Sequence, residues 1–134
     1  KQNNENKRSL YSNNNSNFIY NIYALFSERS NKLNNMKDNK LIAEFMGVET
    51  SNGIVYQNNN TNEFHRIKYH ESWDWLMPVV EKIEDMGCDV LITNGECTIS
   101  GDNDYYVESI GKSRRGATYD AVVEFINEYN KTNK

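Results

Sequence analysis

The sequence predicts an α+β fold in which helices pack on a small antiparallel sheet. Three observations lead there. Residues 88–110 alternate apolar and polar around Asn94-Gly95, a dipeptide that turns one strand into its antiparallel neighbour. Residues 72–87 and 117–129 instead carry apolar side chains at helical spacing. A chain of 134 residues that is 37% hydrophobic suits one small domain and leaves little for a second. The expected order is α-(β)-α-β-β-β-α. The sheet is a three-stranded meander, four-stranded if the weak region joins it, held in a helix-sheet-helix sandwich.

Asp38 is placed to cap a short first helix, with Leu41, Ile42, Phe45 and Met46 at helical spacing and Gly47 as its stop. Ser51-Asn52-Gly53 and the stretch 57–62 read as polar turns. Ile54-Val55-Tyr56 and the segment 64–69 are short extended candidates. Ser72 caps the second helix, and Asp74 in its first turn faces the positive end of the dipole. Leu76, Val79, Val80, Ile83 and Met86 form its apolar stripe; Glu81, Lys82, Glu84 and Asp85 form its wet face. Pro78 lies too deep for an unstrained first turn, so the helix either kinks or really begins near Met77 after a single turn.

The hairpin sets Cys97 opposite Ile92, with Cys88, Val90, Ile92, Cys97 and Ile99 on the core face, so no Cys88–Cys97 disulfide is expected. Residues 101–104 turn, 105–110 supply the third strand and 111–116 form a basic loop. The last helix is expected over 117–129, with Ala121, Val122, Phe125, Ile126 and Tyr129 inward.

Composition changes near Met36. Residues 1–35 hold asparagine runs and little apolar periodicity, and Met36-Lys37-Asp38 reads like a natural start. The expected division is an extension over 1–35, disordered or spurious, and a single α+β domain over 36–134. A real tail, or a helix over 18–26 docking on the body, is the competing reading. Five basic against two acidic residues give the extension a charge of +3; with −4 for the whole chain, the rest carries −7. An acidic domain disfavours generic nucleic-acid binding but leaves room for a local anion site. No apolar run approaches the roughly 18 residues of a membrane span. The expected location is the cytoplasm, with Cys88 and Cys97 reduced.

The stretch Leu41 to Gly47, then Tyr69-His70, Ser72-Trp73-Asp74-Trp75-Leu76-Met77-Pro78-Val79-Val80-Glu81-Lys82-Ile83, Cys97-Thr98-Ile99, Ala117-Thr118-Tyr119 and Ala121 to Ile126 resemble small uncharacterised proteins of bacteriophages and prophages, especially those of Bacteroidota. The layout is similar to the phage ABA sandwich domain, and the resemblance covers 36–130. It implies an accessory protein acting in the cytoplasm of an infected host cell. It carries no catalytic residues and no cofactor.

Candidate chemistry is sparse. Gly111-Lys112-Ser113 echoes the end of a phosphate-binding loop, but Tyr106 stands where that pattern needs a glycine. Lys112, Arg114 and Arg115 ahead of the last helix form a candidate anion or ligand site, against a solvated loop as the plainer reading. Asp102-Asn103-Asp104 lacks the glycine and terminal glutamate of a calcium loop and reads as a polar turn. His65 and His70 face opposite ways in an extended segment; with Glu71 or Asp74 they make a weak metal or base candidate, and no metal site is expected. Cys88 and Cys97 read as small core residues rather than nucleophiles. Trp73, Trp75, Tyr105 and Tyr106 are candidate interface aromatics. Trp73 and Trp75 lie about 200° apart on a helix, so burying both needs a sandwiched helix or a partner.

Three functions compete. The first is non-catalytic binding of a host or phage protein, with a homodimer as one form of partner. The second is a counter-defence protein that sequesters a small nucleotide signal through Lys112, Arg114 and Arg115. The third, least favoured, is a small hydrolase or metal enzyme.

Overall fold

The computed structural model describes residues 2–133, and the side chains of its first helix from Ile19 onward apart from those of Tyr20, Phe26 and Glu28. The elements are α1 (Gln2–Phe45), β1 (Val55–Gln57), β2 (Phe64–Arg66), α2 (Trp73–Asp85), β3 (Asp89–Thr93), β4 (Glu96–Ser100), β5 (Tyr106–Ile110) and α3 (Arg114–Thr132). The chain divides into two compact units, Lys1–Asn34 and Asn35–Lys134. No helix among the described residues is long and apolar enough to cross a membrane.

The first helix differs from expectation. Asp38 does not cap it but lies inside it, and residues 2–35, expected as an extension, are helical. No glycine or proline occurs before Gly47, so nothing in the local chemistry stops a helix earlier. The stop at Gly47 is as expected. Gly47 takes φ +74, its N–H donates to the Glu44 carbonyl at 3.1 Å and that of Val48 to the Ala43 carbonyl at 2.8 Å, the paired bonds of a Schellman close.

The weak extended segments do not extend the meander. They pair with each other as a separate two-stranded sheet, Val55↔Arg66, Tyr56↔His65 and Gln57↔Phe64. The turn before β1 presses on α1: a Cβ on Gly53 would lie 2.1 Å from the Met36 carbonyl oxygen. Only glycine fits there.

In α2, Ser72 occupies the N-cap with extended backbone, but its side chain makes no cap bond. Its carbonyl accepts from Leu76 at 3.1 Å instead. The helix is continuous through Pro78, which corrects the reading that it begins near Met77. The carbonyl deprived of its helical partner belongs to Asp74, an exposed residue.

The meander follows the expected register, with Ile92 opposite Cys97 and Val90 opposite Ile99, then Ile99 opposite Val107. Cys97, Ile99 and Val107 are buried beneath α3, while α2 packs against β3 and α3. Within residues 35–134 the other face stays open, so the expected helix-sheet-helix sandwich is corrected to helices on one face. The outward positions are mostly polar and offer a helix little to bury. The end of α1 packs into the helical layer instead: Phe45 meets Phe125 and Tyr129 edge-on at 6.4 and 5.9 Å. The Lys82 ammonium lies 4.6 Å above the Phe45 ring. α3 begins three residues earlier than expected, because Ser113 caps it by accepting from the Gly116 N–H at 3.0 Å.

Candidate functional site

The basic loop is tied down as structure. The Gly111 N–H donates to the Gly95 carbonyl at 2.9 Å, which stitches the loop to the hairpin turn and leaves no phosphate cradle. Lys112 and Arg114 are exposed, while Arg115 is partly buried and its Nε is enclosed without a hydrogen-bond partner. Ser113 already serves one free N–H of the helix start. Asn103 and Asp104 take φ 61° and 59° in a left-handed turn. Among the described residues no three histidine, cysteine or acidic side chains converge as metal ligands. Both thiols are free, and burial is the largest influence pushing each pKa up.

The four candidate aromatics separate. Trp75 meets Tyr56 and Tyr69 edge-on at 5.5 and 5.2 Å, so the β1–β2 hairpin supplies cover that α2 alone could not. Trp73 is partly buried against the core. Tyr105 packs edge-on to Phe125 at 5.6 Å; burial, then Glu128, Cys88 and Glu124, push its pKa to about 12. Only Tyr106 is largely open, at 60% exposure.

Tyr106 belongs to the uncovered face of the meander. The registers arrange that face in three rows: Asp89, Ser100 and Tyr106; Leu91, Thr98 and Glu108; Thr93, Glu96 and Ile110. Leu91 is 62% and Ile110 77% exposed. Three carboxylates and no cation accompany them. The sequence did carry a signal for this surface: Leu91 and Ile110 are apolar at positions where the alternation calls for polar residues.

A polar chain links the start of α2 to α1 and α3. The Tyr119 hydroxyl donates to Asn39 Oδ1 at 3.1 Å. Asn39 Nδ2 donates to His70 Nδ1 at 2.9 Å. His70 Nε2 lies 3.4 Å from Glu71 Oε1, which Arg66 also grips at 2.7 Å. With its Nδ1 accepting, His70 is the neutral Nε2–H tautomer. Its pKa is held low by burial first; Glu71 opposes that, and Arg66 and Arg115 reinforce it. Asp38 and Asp120, both pushed up chiefly by burial, flank Tyr119. His65 is not part of this group; it stacks on Tyr56 at 5.5 Å. Among the described residues no serine, threonine or cysteine hydrogen-bonds to His70.

No family model, no curated protein and no solved structure matches the chain.

Proposed function

We propose that this protein acts by binding a protein partner, not by catalysis, and that the open face of β3–β5 is where the partner sits. The observation that carries this reading is the exposure of Leu91, Tyr106 and Ile110 on one sheet face. Three large apolar side chains share one otherwise polar sheet face, each in its own row, and large apolar groups left open on a face are where partners dock. A second copy stacked face to face would bring three carboxylates and no cation from each copy into one interface, so a different protein suits the face better than a homodimer. The resemblance to small phage proteins makes an accessory role in an infected host's cytoplasm the natural setting.

The nucleotide-sequestering reading has one supporting observation, the enclosed, unpartnered Arg115 Nε beside Lys112 and Arg114. Against it, Ser113 occupies the helix cap that a phosphate would need. A thermal shift with cyclic dinucleotides, abolished by Arg115→Gln, would favour that reading. For the partner-binding reading, tagged wild-type protein and a Leu91→Thr/Tyr106→Thr/Ile110→Thr variant are used to capture partners side by side. A complex retained by the wild type and lost by the variant supports it; equal capture refutes it.

A further inference from the structure

A second surface lies away from the sheet face. The chain after α1, the β1–β2 hairpin and the start of α2 enclose an open groove. One part, about 300 Å³, is lined by Val48, Tyr56, Tyr69, Asp74, Trp75 and Pro78. It continues past Val48 and Tyr56 into a part of about 770 Å³ bounded by Glu49, Thr50, Gln57 and Phe64. These sizes fall within the range of ligand clefts.

The lining has a consistent electrostatic character. No lysine, arginine or histidine lines either part; the carboxylates are Asp74 and Glu49. Around Asp74 the wall is largely aromatic, with Tyr56, Tyr69 and Trp75 beside Val48 and Pro78, and aromatic ring faces attract cations; the larger part is mostly polar, with Thr50, Gln57 and Asn59. Phe64 is 70% exposed and lies farther along the same groove, a free apolar contact beside the acidic end. Trp75 and Tyr56 are already set by their mutual edge-on packing, so their side chains need little ordering when a ligand arrives.

We propose that this groove binds an arginine side chain from an extended segment of a partner protein. The guanidinium lies against the Trp75 and Tyr56 rings and pairs with Asp74, while an apolar neighbour in the segment covers Val48 and Phe64. Arginine suits the site better than lysine because its planar, weakly hydrated head stacks on rings and pairs with a carboxylate at once. This site is independent of the sheet-face reading, and either can fail alone.

The test uses the full chain and two blocked pentapeptides, Gly-Val-Arg-Phe-Gly and the same sequence with neutral citrulline replacing arginine. Binding is followed by tryptophan fluorescence and by amide chemical shifts. The arginine peptide is expected to bind at least about fivefold more tightly than the citrulline peptide, a difference of about 1 kcal/mol. Asp74→Asn is expected to erase that preference, and Asp74→Glu to restore it. Glu49→Gln, on an exposed residue, is expected to weaken arginine binding more modestly. Equal binding of the two peptides, absence of saturable binding to either, or shifts confined to Tyr106 and Ile110 would overturn the proposal.

Discussion

Asn39 is 3% exposed, and both ends of its amide are used, one on His70 and one on Tyr119. Nothing in the sequence marks it, because it is one asparagine in an asparagine-rich stretch and only the packing of α1 against α3 buries it. Replacing it with alanine strands His70 Nδ1 and leaves the Tyr119 hydroxyl only its long 3.5 Å bond to the Asn35 carbonyl, so Asn39→Ala is expected to cost about 1–3 kcal/mol in urea unfolding. His70 gives a pH signature. Its folded pKa lies below the ordinary 6.5, so between those values the unfolded chain binds more protons. The stability it contributes is complete above pH 6.5 and is lost as the pH falls through that window. The His70→Gln variant is expected to flatten the dependence of the melting temperature on pH just below 6.5. Asp38 and Asp120, with raised values, act in the opposite sense, and comparing the wild type with the His70 variant isolates the histidine's share. A variant as pH-sensitive as the wild type would show that His70 is not the group responsible.

At the scale of elements, legibility follows how local the determining chemistry is. The meander was readable because Asn94-Gly95 and strict alternation set its register without help from elsewhere. The two-stranded sheet was not, since β1 and β2 have three residues each and owe their pairing to packing against α1 and Trp75. Gly53 marks that dependence. With a Cβ 2.1 Å from the Met36 carbonyl oxygen and a φ of +72, Gly53→Ala is expected to destabilise by more than about 2 kcal/mol. Denaturant titration checks this, and a neutral result would mean that the turn does not press on the helix. The start of α3 was misplaced because Ser113 was read as loop rather than as cap. Ser113→Ala is expected to cost about 1 kcal/mol by the same measurement.

For the molecule as a whole, every fully buried hydrophobic side chain among the described residues lies at residue 42 or later. A fragment of residues 35–134 is therefore expected to unfold in one transition with a melting temperature close to that of the full chain. A loss beyond about 8 °C, more than about 1 kcal/mol for a domain of this size, would show that the first unit contributes to the core. The side chains of Leu91, Tyr106 and Ile110 face water, so their replacement should change stability by less than about 0.5 kcal/mol. The expectation that helices cover a small sheet on both sides masks the signal the sequence carries for the open face, apolar Leu91 and Ile110 at outward positions. Its outward rows alternate charge with isolated apolar residues, which suits a docked surface better than a permanent core. The most direct test installs a photo-crosslinking amino acid at Ile110 and, as a control, at exposed Asp120 on α3, in cells making the protein at native level. A discrete adduct with a second protein from position 110 and none from position 120 is expected. Adducts of equal yield from both positions, or none from 110, would contradict a binding role for the sheet face.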